Sequence, residues 1–113
     1  MSETSRVSQT YAVSIWLAGS VADATRICRQ FCKEVGLCVT VTPTDFVYSG
    51  GAESGVLVRM VNYPRFPAQA DEINKKAFDL ARVLRDGLSQ WSVMIETPTD
   101  TTWLTVRDIR ENG

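Results

Sequence analysis

The residues best suited to chemistry lie in one stretch of the chain. In NYPRFP (62–67), Arg65 stands between Tyr63 and Phe66 and between two prolines, an arrangement in which a guanidinium can pair with an anionic group while the rings stack against it. The same residues serve equally as a crossover stiffened by Pro64 and Pro67, with Phe66 stapled onto the next helix and Arg65 in water. Just upstream, SGGAESG (49–55) has the glycines of a phosphate cradle. A cradle needs a helix leaving the glycines, because the helix N-terminus supplies free amides and the positive dipole end. An apolar strand pattern leaves them here, so Gly50, Gly51 and Gly55 read as a hairpin connection of about five or six residues.

Other chemistries are narrowed by residue type. The chain has no histidine, which removes the commonest general base and the commonest metal ligand, and with them Ser-His and Cys-His nucleophile pairs. Cys28, Cys32 and Cys38 form no Cys-x-x-Cys pair; the first two fall one helical turn apart and read as reduced, buried thiols packed as small hydrophobes. No metal and no cofactor is expected. Asp45, Glu53, Asp71, Glu96 and Asp100 could act in acid-base work by type, but no spacing gathers them, and Asp45 and Asp100 fall towards opposite edges of the expected sheet. Asp71, Glu72, Lys75 and Lys76 read as ion-pair support on the exposed side of a helix.

The elements that position these residues follow from periodicity. At 113 residues the chain suits a single core: residues 1–9 read as a disordered polar tail, 10–107 as one domain and 108–113 as a C-terminal tail. Tyr11, Val13, Ile15 and Leu17 alternate with Ala12, Ser14, Trp16 and Ala18 as a strand requires. Ser20 and Asp23 then open a helix whose apolar positions run from Ala24 to Val35, and Gly36 closes it. A second strand begins at Leu37, is broken at Pro43 by a bulge or kink, and resumes over Phe46–Tyr48. A third spans Val56 to about Asn62, a helix runs from Ala70 to Leu88 with Gly87 near its end, and a fourth strand covers Trp91–Glu96. TTWLTV follows as a strand or hairpin arm. The order is α+β, a ferredoxin-like βαββαβ sandwich: a four-stranded antiparallel sheet with two helices on one face, and an extra C-terminal arm. TPTD occurs at Thr42–Asp45 and at Thr97–Asp100, each time after a strand that follows a helix, which suggests two equivalent halves.

The sheet face turned from the helices is the second candidate surface. It holds Trp16, Thr40 and either Val56, Val58 and Met60 or Leu57, Arg59 and Val61. An apolar patch of that kind marks an interface, and a homodimer through this face or an edge strand is the expected use. The competing reading folds TTWLTV over the face, with Trp103 filling it. An RNA-recognition module shares the strand order, but GVLVRMVNY has aliphatic residues where stacking rings are needed. With twelve basic residues against thirteen acidic and a net charge of −1, nucleic acid is not the expected partner. No apolar run is long enough to span a bilayer, and MSETSRVSQT lacks the pattern of a signal peptide, so a cytoplasmic location is expected.

VSIWLAG, LCVTVTPTDFVYSGG and VNYPRFP together resemble small proteins of unassigned function encoded by bacteriophages and prophages. The resemblance covers residues 11–67 and implies no activity. Strand order alone is similar to the amino-acid-binding ACT domains, which is analogy. The reading reached is a non-enzymatic binding protein, suited if phage-encoded to engaging a host protein. The alternative is an ACT-like or ligand-sequestering domain, and nucleic-acid binding comes last. A small anionic ligand would use Arg59, Tyr63, Arg65 and Phe66; a protein partner would use the Trp16 face.

Overall fold

The computed structural model describes residues 2–107. They run β1 (Ala12–Ala18), α1 (Val21–Val35), β2 (Thr40–Tyr48), β3 (Gly51–Val61), α2 (Ala70–Gly87), β4 (Ser92–Glu96) and β5 (Thr101–Thr105). The sheet is antiparallel throughout and ordered β2-β3-β1-β4-β5, so the fold is ferredoxin-like with β5 added outside β4. Met1 and residues 108–113, assigned to tails above, lie outside the described residues. The end of the N-terminal segment is held: Ser8 Oγ donates to the Asn62 carbonyl at 2.6 Å, and Asn62 Nδ2 donates to the Gln9 carbonyl at 2.9 Å.

The helices form where capping and periodicity agree. Ser20 is extended, its Oγ accepts the Asp23 N–H at 3.3 Å, and Gly36 ends α1 in a left-handed conformation. α1 buries Ala24, Ile27 and Cys28, while α2 buries Ile73, Ala77, Leu80, Ala81 and Leu84. Both stripes pack on Val13, Ile15, Leu17, Val56, Val58, Met60, Val93 and Ile95, the alternate residues of the inner strands. Burial of Val56, Val58 and Met60 decides the register that the sequence left open: Leu57, Arg59 and Val61 face away from the helices.

The structure corrects two expectations, at Pro43 and in the connection after β2, and decides between the two readings of TTWLTV in favour of the extra strand. β2 crosses Pro43 with no bulge, pairing with β3 in one register from Thr40↔Arg59 to Tyr48↔Gly51, because β2 is an edge strand and proline's missing N–H can face outward there. The connection after it is correspondingly short, just Ser49 and Gly50, with Gly50 at φ +89°. TTWLTV does not fold over the open face; β5 pairs with β4 from Ser92↔Thr105 to Glu96↔Thr101 and widens the sheet. The two TPTD copies differ in structure as well. The first lies inside β2, whereas in the second Thr97 Oγ1 accepts the N–H groups of Thr99 and Asp100 and turns the chain between β4 and β5.

β1 pairs with β3 only as far as Ala18↔Gly55, while β2 and β3 continue together to the turn. Residues 45–54 therefore project as a two-stranded arm, and the molecule is 59 Å long but only 28 Å and 27 Å across. Val47 on this arm is 79% exposed.

Candidate functional site

Side-chain alternation and register build a row on the open face. Thr42 pairs with Leu57, Leu57 with Trp16, Trp16 with Met94 and Met94 with Trp103, so five side chains lie in line across five strands, each beside the next. The neighbouring row runs Thr40, Arg59, Ser14, Glu96 and Thr101. Trp16 leans towards that second row, and its Nε1 donates to Glu96 Oε1 at 3.1 Å.

Beside the first row lies an open trough of about 520 Å3, lined by Trp16, Phe46, Glu53, Trp91, Met94, Trp103 and Arg107 among others. The arm contributes Phe46 and Glu53, which pair directly. The Phe46 ring lies over Gly55: a Cβ there would fall 2.9 Å from Phe46 Cδ2 and 2.6 Å from the Leu17 carbonyl, so the residue must be glycine for the ring to pack. At the other end, the Arg107 guanidinium sits 5.1 Å from the centre of the Trp91 ring. The trough carries one carboxylate, Glu53, and one guanidinium, Arg107, and its flat π faces suit a ligand with a planar ring or a cationic group.

Tyr63, Arg65 and Phe66 lie elsewhere. They line a separate cavity between the C-terminal end of α1, the end of β3 and the start of α2, together with Leu37, Cys38, Met60, Ile73 and Lys76. Arg59 faces the open sheet, so Arg59 and Arg65 are not brought together on one anion. Cys38 Sγ and Tyr63 Oη are hydrogen-bonded at 3.3 Å, a bond that, with burial second, raises the Tyr63 pKa. Burial, with the nearby Cys32 second, pushes the Cys28 thiol up to about 12, and burial also raises Cys32. Cys28 is buried as expected, but Cys32 is only half-buried and Cys38 is exposed. Among the described residues no group of three or more His, Cys, Asp or Glu side chains could hold a metal, and no helix is long and apolar enough to cross a membrane.

Of the sequence-level candidates, the open face therefore collects Trp16 and Arg59. It adds Phe46, Trp91, Met94 and Arg107, together with Glu53, weighed above only as one of several carboxylates, and Trp103, weighed above only as a filler of this face; they come from three separate regions of the chain. Their one sequence signal was three tryptophans in a domain of this size.

No family model and no curated protein sequence matches the chain. Solved structures do. The chain is similar to a phage SAM lyase in complex with S-methyl-5′-thioadenosine at a TM-score of 0.72, with 16% identity over 94% of this chain and 97% of that one. It is similar to a phage SAM lyase in the apo state at a TM-score of 0.70, with 17% identity over 87% and 90%. The periplasmic divalent cation tolerance protein CutA from Archaeoglobus fulgidus aligns at a TM-score of 0.47, with 17% identity over 92% and 91%. At these identities the likeness is one of fold. It overturns the expectation of a non-enzymatic binding protein, since a chain of matching length and topology is itself an enzyme.

Proposed function

We propose that the chain is an enzyme of the lyase class that cleaves SAM, S-adenosylmethionine, and releases S-methyl-5′-thioadenosine from the open sheet face. The observation that carries this reading is the trough itself, which Trp16, Phe46, Trp91 and Trp103 line together with Glu53, on a fold shared along nearly its whole length with the phage SAM lyases. A planar adenine and a sulfonium cation are the two groups such a surface would hold, by stacking and by cation–π attraction.

The reaction suits a site with few ionisable groups. S-Methyl-5′-thioadenosine keeps the sulfur, the methyl group and the adenosyl group, so the bond that breaks joins sulfur to the amino-acid side chain. The sulfur takes the bonding pair and becomes a neutral thioether. The amino-acid fragment balances its charge by closing on its own carboxylate, which needs neither nucleophile nor base from the protein, or by losing a proton to a base, for which Glu53 is the carboxylate lining the trough. Positive charge at sulfur is lost on the way to the transition state, so a dry, apolar surround favours the reaction more than strong ion pairing does. In this reading Glu53 attracts the cation, while the tryptophans orient it and exclude water.

On a single chain the trough is open to solvent. Closure by a second copy would supply the dry surround and cover the arm at Val47, so self-association, in its simplest form a homodimer, belongs to the same proposal. Purified protein incubated with SAM should yield S-methyl-5′-thioadenosine on reversed-phase chromatography, and no product above the spontaneous rate across a range of pH would overturn the reading. Sizing chromatography should give a species larger than the monomer, and a monomer at every concentration that is active would remove the second copy from the site.

A further inference from the structure

The geometry points to a second ligand site, in the cavity bounded by Cys38, Tyr63, Arg65 and Ile73, built for an apolar carboxylic acid. This site shares no lining residue with the open-face trough and does not depend on the proposed lyase activity.

Size and lining argue for a small molecule. The cavity holds about 880 Å3, within the range of about 300–1,000 Å3 found for small-molecule sites. Its walls are mainly apolar, with Leu37, Met60, Ala68 and Ile73 on the inner side and Phe66 at the mouth. Phe66 is 73% exposed although it is a large hydrophobe; a ligand beneath it would give the ring a second contact surface.

Charge selects the head group. The charged lining residues are Arg65, Lys76 and Glu72, a sum of one positive charge. Lys76 Nζ is 4.0 Å from a Glu72 carboxylate oxygen, so these two largely offset one another. Arg65 lies with its guanidinium carbon 5.3 Å from the Phe66 ring centre, which orients the planar fork at the mouth without using its in-plane donors. One planar monoanion fits one such fork through two parallel hydrogen bonds, and a carboxylate on an apolar body meets both features. Cys38 and Tyr63 are hydrogen-bonded to each other and keep donor or acceptor capacity for the ligand without adding charge.

The test is titration of isotope-labelled full-length protein with sodium octanoate, followed by NMR, with 1-octanol as the uncharged counterpart. Octanoate should give saturable shifts confined to residues 36–38, 60–68 and 72–76. Arg65→Glu should weaken octanoate by roughly tenfold or more, the scale of a lost charge-assisted pair, and leave octanol unchanged. Leu37→Trp, which fills the cavity from a loop position, should abolish both. The inference is overturned if octanol binds as tightly as octanoate, if Arg65→Glu leaves octanoate unaffected, or if no saturable shifts appear at these residues.

Discussion

Trp16 and Glu96 are 80 residues apart in sequence, yet their side chains are joined by a hydrogen bond of 3.1 Å across the centre of the open sheet face. The bond fixes the plane of the indole, and so the face it offers to the trough. Glu96→Ala should leave thermal stability near that of the parent, because the pair is exposed and such contacts contribute roughly 0–1 kcal/mol. SAM cleavage should fall by about tenfold, the effect of losing a little over 1 kcal/mol of positioning. Glu96→Gln retains an acceptor oxygen and should recover most of it. Steady-state kinetics on the two variants, beside melting curves, would show a merely structural role if Gln and Ala behaved alike.

Gly55 lies where the arm leaves the body of the sheet, beneath the Phe46 ring and against the Leu17 carbonyl. The backbone oxygen cannot move aside as a flexible side chain can. Gly55→Ala should therefore destabilise the protein by about 1–3 kcal/mol, the usual cost of overpacking, and should displace Phe46 from the trough. Chemical denaturation measures the first effect, and activity at a temperature where the variant is still folded measures the second.

Asn62 ties three segments together. Its N–H donates to the Tyr11 carbonyl at 2.9 Å, its Nδ2 to the Gln9 carbonyl at 2.9 Å, and its Oδ1 accepts the Ala68 N–H at 2.9 Å. Asn62→Ala removes both side-chain bonds at once and should lower stability by roughly 2 kcal/mol. Hydrogen exchange should speed up at Ala68 more than in the sheet; equal acceleration everywhere would mean that the loss is global and that Asn62 does not hold the crossover locally.

Cys28 makes stability depend on pH at the alkaline end. Its thiol is raised from 9.0 to about 12 by burial in the folded chain, so the unfolded chain releases the proton first as pH rises. The contribution is fully present below pH 9 and is lost between pH 9 and 12. Melting temperature should fall as pH climbs through that window. Cys28→Ala, although less stable at neutral pH from the cavity it leaves, should show a shallower fall, and parallel slopes for the two proteins would assign the alkaline loss to other groups.

Much of the fold was legible because local and global preferences agree. Alternation at Tyr11–Leu17, the Ser20 cap and the apolar stripe of α2 each specify an element within its own span, and the order of those elements leaves few ways to bury their apolar faces. Of the glycines of SGGAESG, Gly50 was readable as turn chemistry, whereas Gly51 and Gly55 lie inside β3. Pro43 misled because a strand's tolerance of proline depends on whether it lies at an edge, and edge position is a property of the whole sheet.

The proposed site had no comparable local signal. Trp16, Phe46, Glu53, Trp91 and Trp103 carry no motif spacing, and each reads in isolation as an ordinary strand or loop residue. The sequence by itself determined two helices, a ferredoxin-like strand order and the residues that fill the core, because periodicity acts over a few neighbours and core burial follows from it. Tertiary structure alone decided that Thr42, Leu57, Trp16, Met94 and Trp103 share one line, and that Arg59 and Arg65 belong to different sites. Strand register joins residues across the whole chain, and a one-residue slip would turn each of those side chains to the opposite face.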